Sequence, residues 1–183
     1  MKSIGKVISW INSIASGLAG ILVLCMVAHV SADVTMRYVF ERPMDSTILY
    51  VSAFYMVAIA FLPLGLVEQK DSHIAVELLV EKFPNKVQTF LLLVATVTTA
   101  IVTAGVAVRT GQEAYAKFLT GAYSIESGGK VITWPTYFFL PVGFGIMSLV
   151  SSWKVIAMIT GKDSGLSGLV VEDPYQSKED PNV

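Results

Sequence analysis

The stretch STILYVSAFYMVAIAFLPLGLV, Ser46–Val67, runs for 22 residues without an Asp, Glu, Lys or Arg. A helix rises about 1.5 Å per residue, so roughly 20 residues cross a hydrocarbon core about 30 Å thick. From Ile48 onward the stretch holds eleven Ile, Leu, Val or Phe residues. Near a helix centre these together favour insertion by about 3–7 kcal/mol. Three further runs, Val7–Ala32, Val87–Val108 and Val131–Trp153, are also uncharged, with 26, 22 and 23 residues. Each is long enough to cross once and too short to cross twice. Only 15% of the 183 residues are charged, against roughly a quarter in soluble domains. A soluble protein with four such buried helices is a poor account of this pattern. The sequence predicts an all-α membrane protein with four transmembrane helices.

The flanking residues set the expected boundaries. The predicted domain covers residues 1–160, with helices over about 8–34, 47–67, 87–108 (continuing to about 119) and 131–159. Lys2 and Lys6 precede the first run and resemble a cleavable leader, but the apolar run is longer than a typical leader core, so a retained helix is expected. Pro63 removes a backbone donor near the end of helix two and predicts a disturbance there. Glu113 and Lys117, four apart, suggest that helix three continues past the membrane. Trp134 and Trp153 bracket helix four like two aromatic belts, and Pro141 is expected to bend it. His73, Glu77 and Glu81 recur every four residues between Asp71 and Pro84, which predicts an interfacial amphipathic helix between helices two and three. Residues 161–183 are polar and predict a disordered cytoplasmic tail. With the N-terminus inside, the inner segments carry seven Lys or Arg residues, ignoring the far tail, and the outer loops five. That bias favours both termini in the cytoplasm.

Chemistry is sparse in this pattern. A coupled carrier usually keeps an ionisable group inside the membrane, and no carboxylate, Lys or Arg lies in the four runs. Asp33, near the outer end of helix one, precedes Arg37 at i+4, which predicts an ion pair orienting the first loop. His29 and His73 fall on opposite sides of the membrane in this topology and so cannot share a haem iron. Single Cys25 excludes a disulfide framework. Neither P-loop, GxSxG, HExxH nor CxxC is present, so no cofactor and no enzymatic activity are expected. A net charge of −1 gives no reason to expect nucleic acid. Small residues four apart, Ser13/Gly17, Ser16/Gly20, Ala100/Ala104 and Thr103/Ala107, suit close helix packing, either within the chain or against another membrane subunit. Gly143 and Gly145 suit it on helix four.

Three patterns in order resemble a known family. Asp33-Val34-Thr35-Met36-Arg37-Tyr38-Val39-Phe40-Glu41-Arg42-Pro43 resembles the first loop of the small membrane (Q) subunits of tripartite ATP-independent periplasmic (TRAP) transporters. Lys70-Asp71-Ser72-His73-Ile74-Ala75-Val76-Glu77-Leu78-Leu79 is similar to the run after their second helix. Trp134-Pro135-Thr136-Tyr137-Phe138-Phe139-Leu140-Pro141-Val142-Gly143-Phe144 is similar to their fourth-helix pattern. The resemblance spans about residues 8–160. It departs from the family at Met44-Asp45-Ser46, where a Trp and one or two Glu are common, and at Pro63, where a small residue is common. The resemblance implies a scaffold subunit in the bacterial inner membrane, working with a large membrane subunit and a periplasmic substrate-binding protein. The system would import organic acids such as C4-dicarboxylates or sugar acids on an ion gradient, usually sodium. Asp33, Arg37, Tyr38, Pro43, His73, Pro141 and Gly143 become candidate structural or interface residues. Arg37–Asp45 and Arg109–Lys130 become the candidate docking surface for the binding protein. The small subunit of a tripartite tricarboxylate transporter and the membrane anchor of a redox complex stand as alternatives.

Overall fold

The computed structural model describes residues 2–42, 44–70, 85–126 and 129–160. Among them, four helical stretches are long and apolar enough to cross a bilayer: Gly5–Val39, Thr47–Gln69, Phe90–Leu119 and Trp134–Thr160. The chain is a multi-pass membrane protein whose described residues are mostly helical, as the uncharged runs predict. The interfacial helix expected over 71–84 and the tail from 161 lie outside the described residues.

The helices outrun the uncharged segments. The first is continuous over Lys2–Val39, 38 residues, and the helix carrying the third span covers Asn85–Leu119, 35 residues. At about 1.5 Å per residue both exceed the hydrocarbon thickness by more than about 20 Å. Glu113 and Lys117 pair at 3.5 Å on the extension of the third helix.

The second span is the irregular one. It opens as a short α-helix, Thr47–Leu49, widens into a π-helix over Tyr50–Tyr55, and returns to α over Met56–Phe61. Pro63 then interrupts it. Having no N–H, Pro63 cannot bond back up the helix, and its carbonyl takes bonds from both Leu66 and Val67, at 2.9 and 3.2 Å. Leu64–Gln69 completes the span. The sequence signalled the proline break; it carried no sign of the π-helix.

One element was not anticipated. Gly121, at φ 59°, ends the third helix, its N–H bonding the Phe118 carbonyl. Strand β1 (Tyr123–Glu126) then pairs antiparallel with strand β2 (Gly129–Ile132). The N–H groups of Thr133 and Trp134 both bond the Ala122 carbonyl, which closes the hairpin onto the helix ends. Helix four therefore starts at Trp134 as a 3-10 turn, Trp134–Phe138, and becomes α over Phe139–Thr160. It begins three residues later than the expected 131 because the preceding residues are in strand. Pro141 falls in the first α turn, where its missing N–H is cheap, so the interruption is the 3-10 to α change ahead of it.

The third span packs on the fourth, the fourth on the second, and the second on the first. Small side chains make these seams. On the first helix Ser9, Asn12, Ala15, Ala19 and Asp33 are buried, on a 3–4 residue spacing that Leu22, Met26 and His29 continue as half-buried positions. Its apolar middle meets Ala58 and Leu62 of the second span, with Phe139 of the fourth beside them. Ser148 Oγ reaches the Ala100 carbonyl across the third and fourth spans at 3.3 Å. The outward faces carry Leu18, Ile21, Leu24, Ile101 and Leu149, all at least half exposed, as lipid contact requires.

Candidate functional site

Most of the buried polar groups among the described residues gather at the two ends of the helices. At the end carrying the hairpin, Asp33 is buried to 6% exposure. Its Oδ1 accepts the Met44 backbone N–H at 2.8 Å and its Oδ2 accepts from Arg37 Nη2 at 3.4 Å. The expected Asp33–Arg37 pair thus forms, but the sequence underplayed Asp33. A buried carboxylate holding a loop N–H ties the first loop to helix one, whereas the Arg37 side chain is 56% exposed. Exposed pairs contribute about 0–1 kcal/mol. Asp33→Ala should therefore free residues 40–46, read as faster amide exchange or proteolytic nicking there, while Arg37→Ala should change little. Equal effects would show that the charge pair, not the backbone bond, holds the loop.

The other expected site residues scatter. Tyr38 is 81% exposed at the end of the first helix. Pro43 and His73 lie outside the described residues. Pro141 faces Gly111 of the third span, with 3.7 Å between Pro141 Cβ and a Cβ placed at 111. Gly143 is buried where the fourth span meets the second, directly against the Phe61 carbonyl. Gly17, Gly20 and Gly145 have nothing within 4 Å of a Cβ position, so the packing glycines divide: Gly143 serves this chain, and Gly17 and Gly20 of the first helix face outward. His29 sits between spans one and two, its Nδ1 3.5 Å from the Tyr55 hydroxyl and its ring edge-on to that of Tyr55. It is a packing residue there.

At the opposite end of the helices lies a buried ion pair that the sequence did not signal. Glu68 and Lys154 approach to 3.7 Å with side chains 4% and 8% exposed, and Lys154 Nζ also donates to the Glu68 carbonyl. Glu68 and Lys154 each directly follow an uncharged run, at Val67 and at Trp153. The helices continue past the uncharged runs, so residues that flank a run in sequence lie inside a helix–helix seam in space. Beside the pair, Asn12 Nδ2 donates to the Gly65 carbonyl at 3.1 Å and to Gln69 Oε1 at 2.8 Å. Gln69 Nε2 donates to Ser9 Oγ at 3.0 Å. Gly65 leaves no room for a side chain here, since a Cβ would collide with the Asn12 amide and with Ile146. Ser9 and Asn12, three apart on the face that carries Ala15 and Ala19, were the available signal.

Chemically the arrangement ties helices together. Among the described residues no cluster of three His, Cys, Asp or Glu gathers to hold a metal. Two polar joints, one at each end, clamp spans one, two and four, and the outer faces are open.

The comparisons with known proteins bear on what such a clamp serves. The family model described as tripartite ATP-independent periplasmic transporters, DctQ component, matches residues 26–161. The match takes in the Asp33 joint, the whole second span and the hairpin. Comparison with curated proteins and with solved structures gives no match.

Proposed function

The chain belongs to the DctQ component family of tripartite ATP-independent periplasmic transporters, the small membrane component, and from that membership we propose that it is a non-catalytic scaffold. Its partners are the large membrane subunit, which carries the substrate, and a periplasmic binding protein, which captures it. The system imports organic acids, C4-dicarboxylates or sugar acids, on a sodium gradient across the bacterial inner membrane, with both termini of this chain in the cytoplasm. Membership in this family leaves no place for the tricarboxylate-transporter and redox-anchor alternatives.

The observation that carries the scaffold reading is where the charge lies. The uncharged runs hold no carboxylate, Lys or Arg to bind or relay an ion at their centres. The buried pair, Glu68 with Lys154, is instead shared between two helices at one end. Such a chain is suited to hold a shape rather than to cycle between two. The face of the first helix opposite its buried seam carries Ser13, Gly17 and Gly20, open to approach by another helix. This face is the proposed contact with the large subunit, and the loop over Arg37–Asp45 the proposed contact with the binding protein.

Reconstitution in liposomes tests the reading. Uptake of a dicarboxylate or sugar acid should require this chain, the large subunit and the loaded binding protein together, and should stop when sodium is absent outside. Uptake by this chain with the binding protein alone would end the scaffold assignment. Gly17→Leu should reduce co-purification with the large subunit while leaving the melting temperature of the isolated chain within a few degrees. Unimpaired co-purification would move the contact to another face.

A further inference from the structure

The uncharged runs and the contacts between helices agree on one bilayer only if the bundle leans. Contacts fix which residues share a level along the bundle axis. Pro141 lies against Gly111, and two residues on, Gly143 lies against the Phe61 carbonyl. Arg109, two residues before Gly111 on the antiparallel third helix, therefore stands level with Phe61. Ala19 packs with Ala58 and Leu62, which brings the middle of the first helix to that level too. Yet Arg109 is the charge that ends the third run, after Val108, whereas Phe61 and Ala19 lie inside theirs.

The offset has the same sense at both ends. Towards the hairpin, the second run continues from Phe61 to Ser46, roughly 20 Å past the level where the third stops. Away from it, the second run stops at Val67, roughly 10 Å beyond Phe61, while the third continues to Val87, roughly 30 Å beyond. An upright bundle in a flat bilayer would strand one set of apolar residues in water. With the bilayer on the third run, Leu24 and Ile48, each 72% exposed, would stand outside it. With the bilayer on the first and second runs, Phe90, 64% exposed, would do so. Exposed apolar area costs about 25 cal/mol per Å², so both placements are unfavourable.

A lean removes the conflict. The third span packs on the fourth and the fourth on the second, so at about 8–10 Å per packed pair the outer two axes stand up to about 20 Å apart. Across that distance a lean of about 40° moves the bilayer level by some 15 Å along the axis, most of the offset. The run lengths give a separate measure. Runs of 22 to 26 residues are roughly 33–39 Å long, which fits a core about 30 Å thick at leans of about 25–40°. Membrane helices lean by about 20° on average. We infer that this bundle leans by about 40° and wears its lipid belt on a slant, over Val87–Val108 on the third helix and, displaced towards the hairpin, over Ser46–Val67 and Val7–Ala32 on the second and first. Acyl chains then cover Leu24, while exposed Ala116, at the same level on the third helix, stands in water beside the Glu113–Lys117 pair. At the other end Asn12 marks the level by its bond to the Gly65 carbonyl. Below it, exposed Lys6 is in water and Ile101, level with it, is in lipid.

Paired spin labels at matched levels read the slant. In a Cys25→Ser background, Leu24→Cys and Ala116→Cys form one pair, and Ile101→Cys and Lys6→Cys the other. Each full chain is labelled with a nitroxide in nanodiscs of phosphatidylcholine and phosphatidylglycerol. Collision with oxygen relative to a water-soluble nickel chelate should be severalfold higher at 24 than at 116, and at 101 than at 6. Equal ratios in either pair overturn the slant. Solid-state NMR of the unaltered, 15N-labelled chain in aligned bilayers supplies the angle without any substitution. The axes of the first and third helices should lie at least about 30° from the membrane normal, and smaller angles overturn the lean. Unequal label ratios with upright axes overturn it as well, because the bilayer would then bend around an upright bundle.

Discussion

Glu68→Gln should sharply lower the yield and melting temperature of the folded chain in detergent, and Lys154→Met should do the same. Each leaves one member of a buried pair behind: the side chains are 4% and 8% exposed and 3.7 Å apart. Truncating one partner of such a pair costs about 3–5 kcal/mol, chiefly because the remaining charge is stranded out of water. Stability of a domain this size is only some 5–15 kcal/mol, so either loss is severe. The double variant Glu68→Met with Lys154→Leu should recover most of the deficit, since a buried pair replaced by well-packed apolar groups is often neutral or better. That recovery separates the present account from one in which Glu68 or Lys154 is needed by itself. The double variant should also keep transport, because nothing in the scaffold reading asks these charges to move. Single variants losing no more than about 1 kcal/mol, the range of an exposed pair, would show that water reaches the site.

How much of this was legible beforehand follows from the range of the interactions involved. The four spans were plain because insertion is a sum over local side chains, and uncharged runs of 22 to 26 residues leave little choice. The Asp33–Arg37 pair was legible for the same reason, being a contact at i+4 on one helix. Its more consequential bond, to the Met44 N–H eleven residues on, needs the path of the loop. Glu68 and Lys154 lie 86 residues apart, and only the relative register of two helices brings them together. Asn12, Gln69 and Ser9 are hidden in the same way. The hairpin is a different case. Tyr123-Ser124-Ile125-Glu126 alternates apolar with polar and leads into Ser127-Gly128-Gly129, which is a legible strand and turn signal. The signal is masked because Val131 and Ile132 also open the uncharged run Val131–Trp153, which reads as the start of the fourth span. Pro43 and His73, which carried part of the family resemblance, lie outside the described residues and add nothing to the site.

Gly143→Ala and Gly145→Ala should move stability in opposite directions, although they add the same methyl to the same helix two residues apart. At Gly143 the new Cβ would fall on the Phe61 carbonyl, a main-chain group that no rotamer change can remove from its path. The fourth span would have to back away from the second, loosening the seam that also carries Glu68 and Lys154. Overpacking of this kind costs about 1–3 kcal/mol, and Gly143→Leu should cost enough to prevent recovery of folded protein. At Gly145 nothing lies within 4 Å of the added group. There the gain in helix preference of Ala over Gly, up to about 1 kcal/mol, should appear as an unchanged or raised melting temperature. The pair also tests the division between inner and outer glycines. If the position of residue 145 serves an interface with the large subunit, Gly145→Leu should leave the isolated chain stable and weaken the complex. Gly143→Ala, by contrast, should damage the chain before any partner is present. Equal melting temperatures for the two alanine variants would mean that spans two and four are not in contact at Phe61, and the packing order of the helices would have to be redrawn.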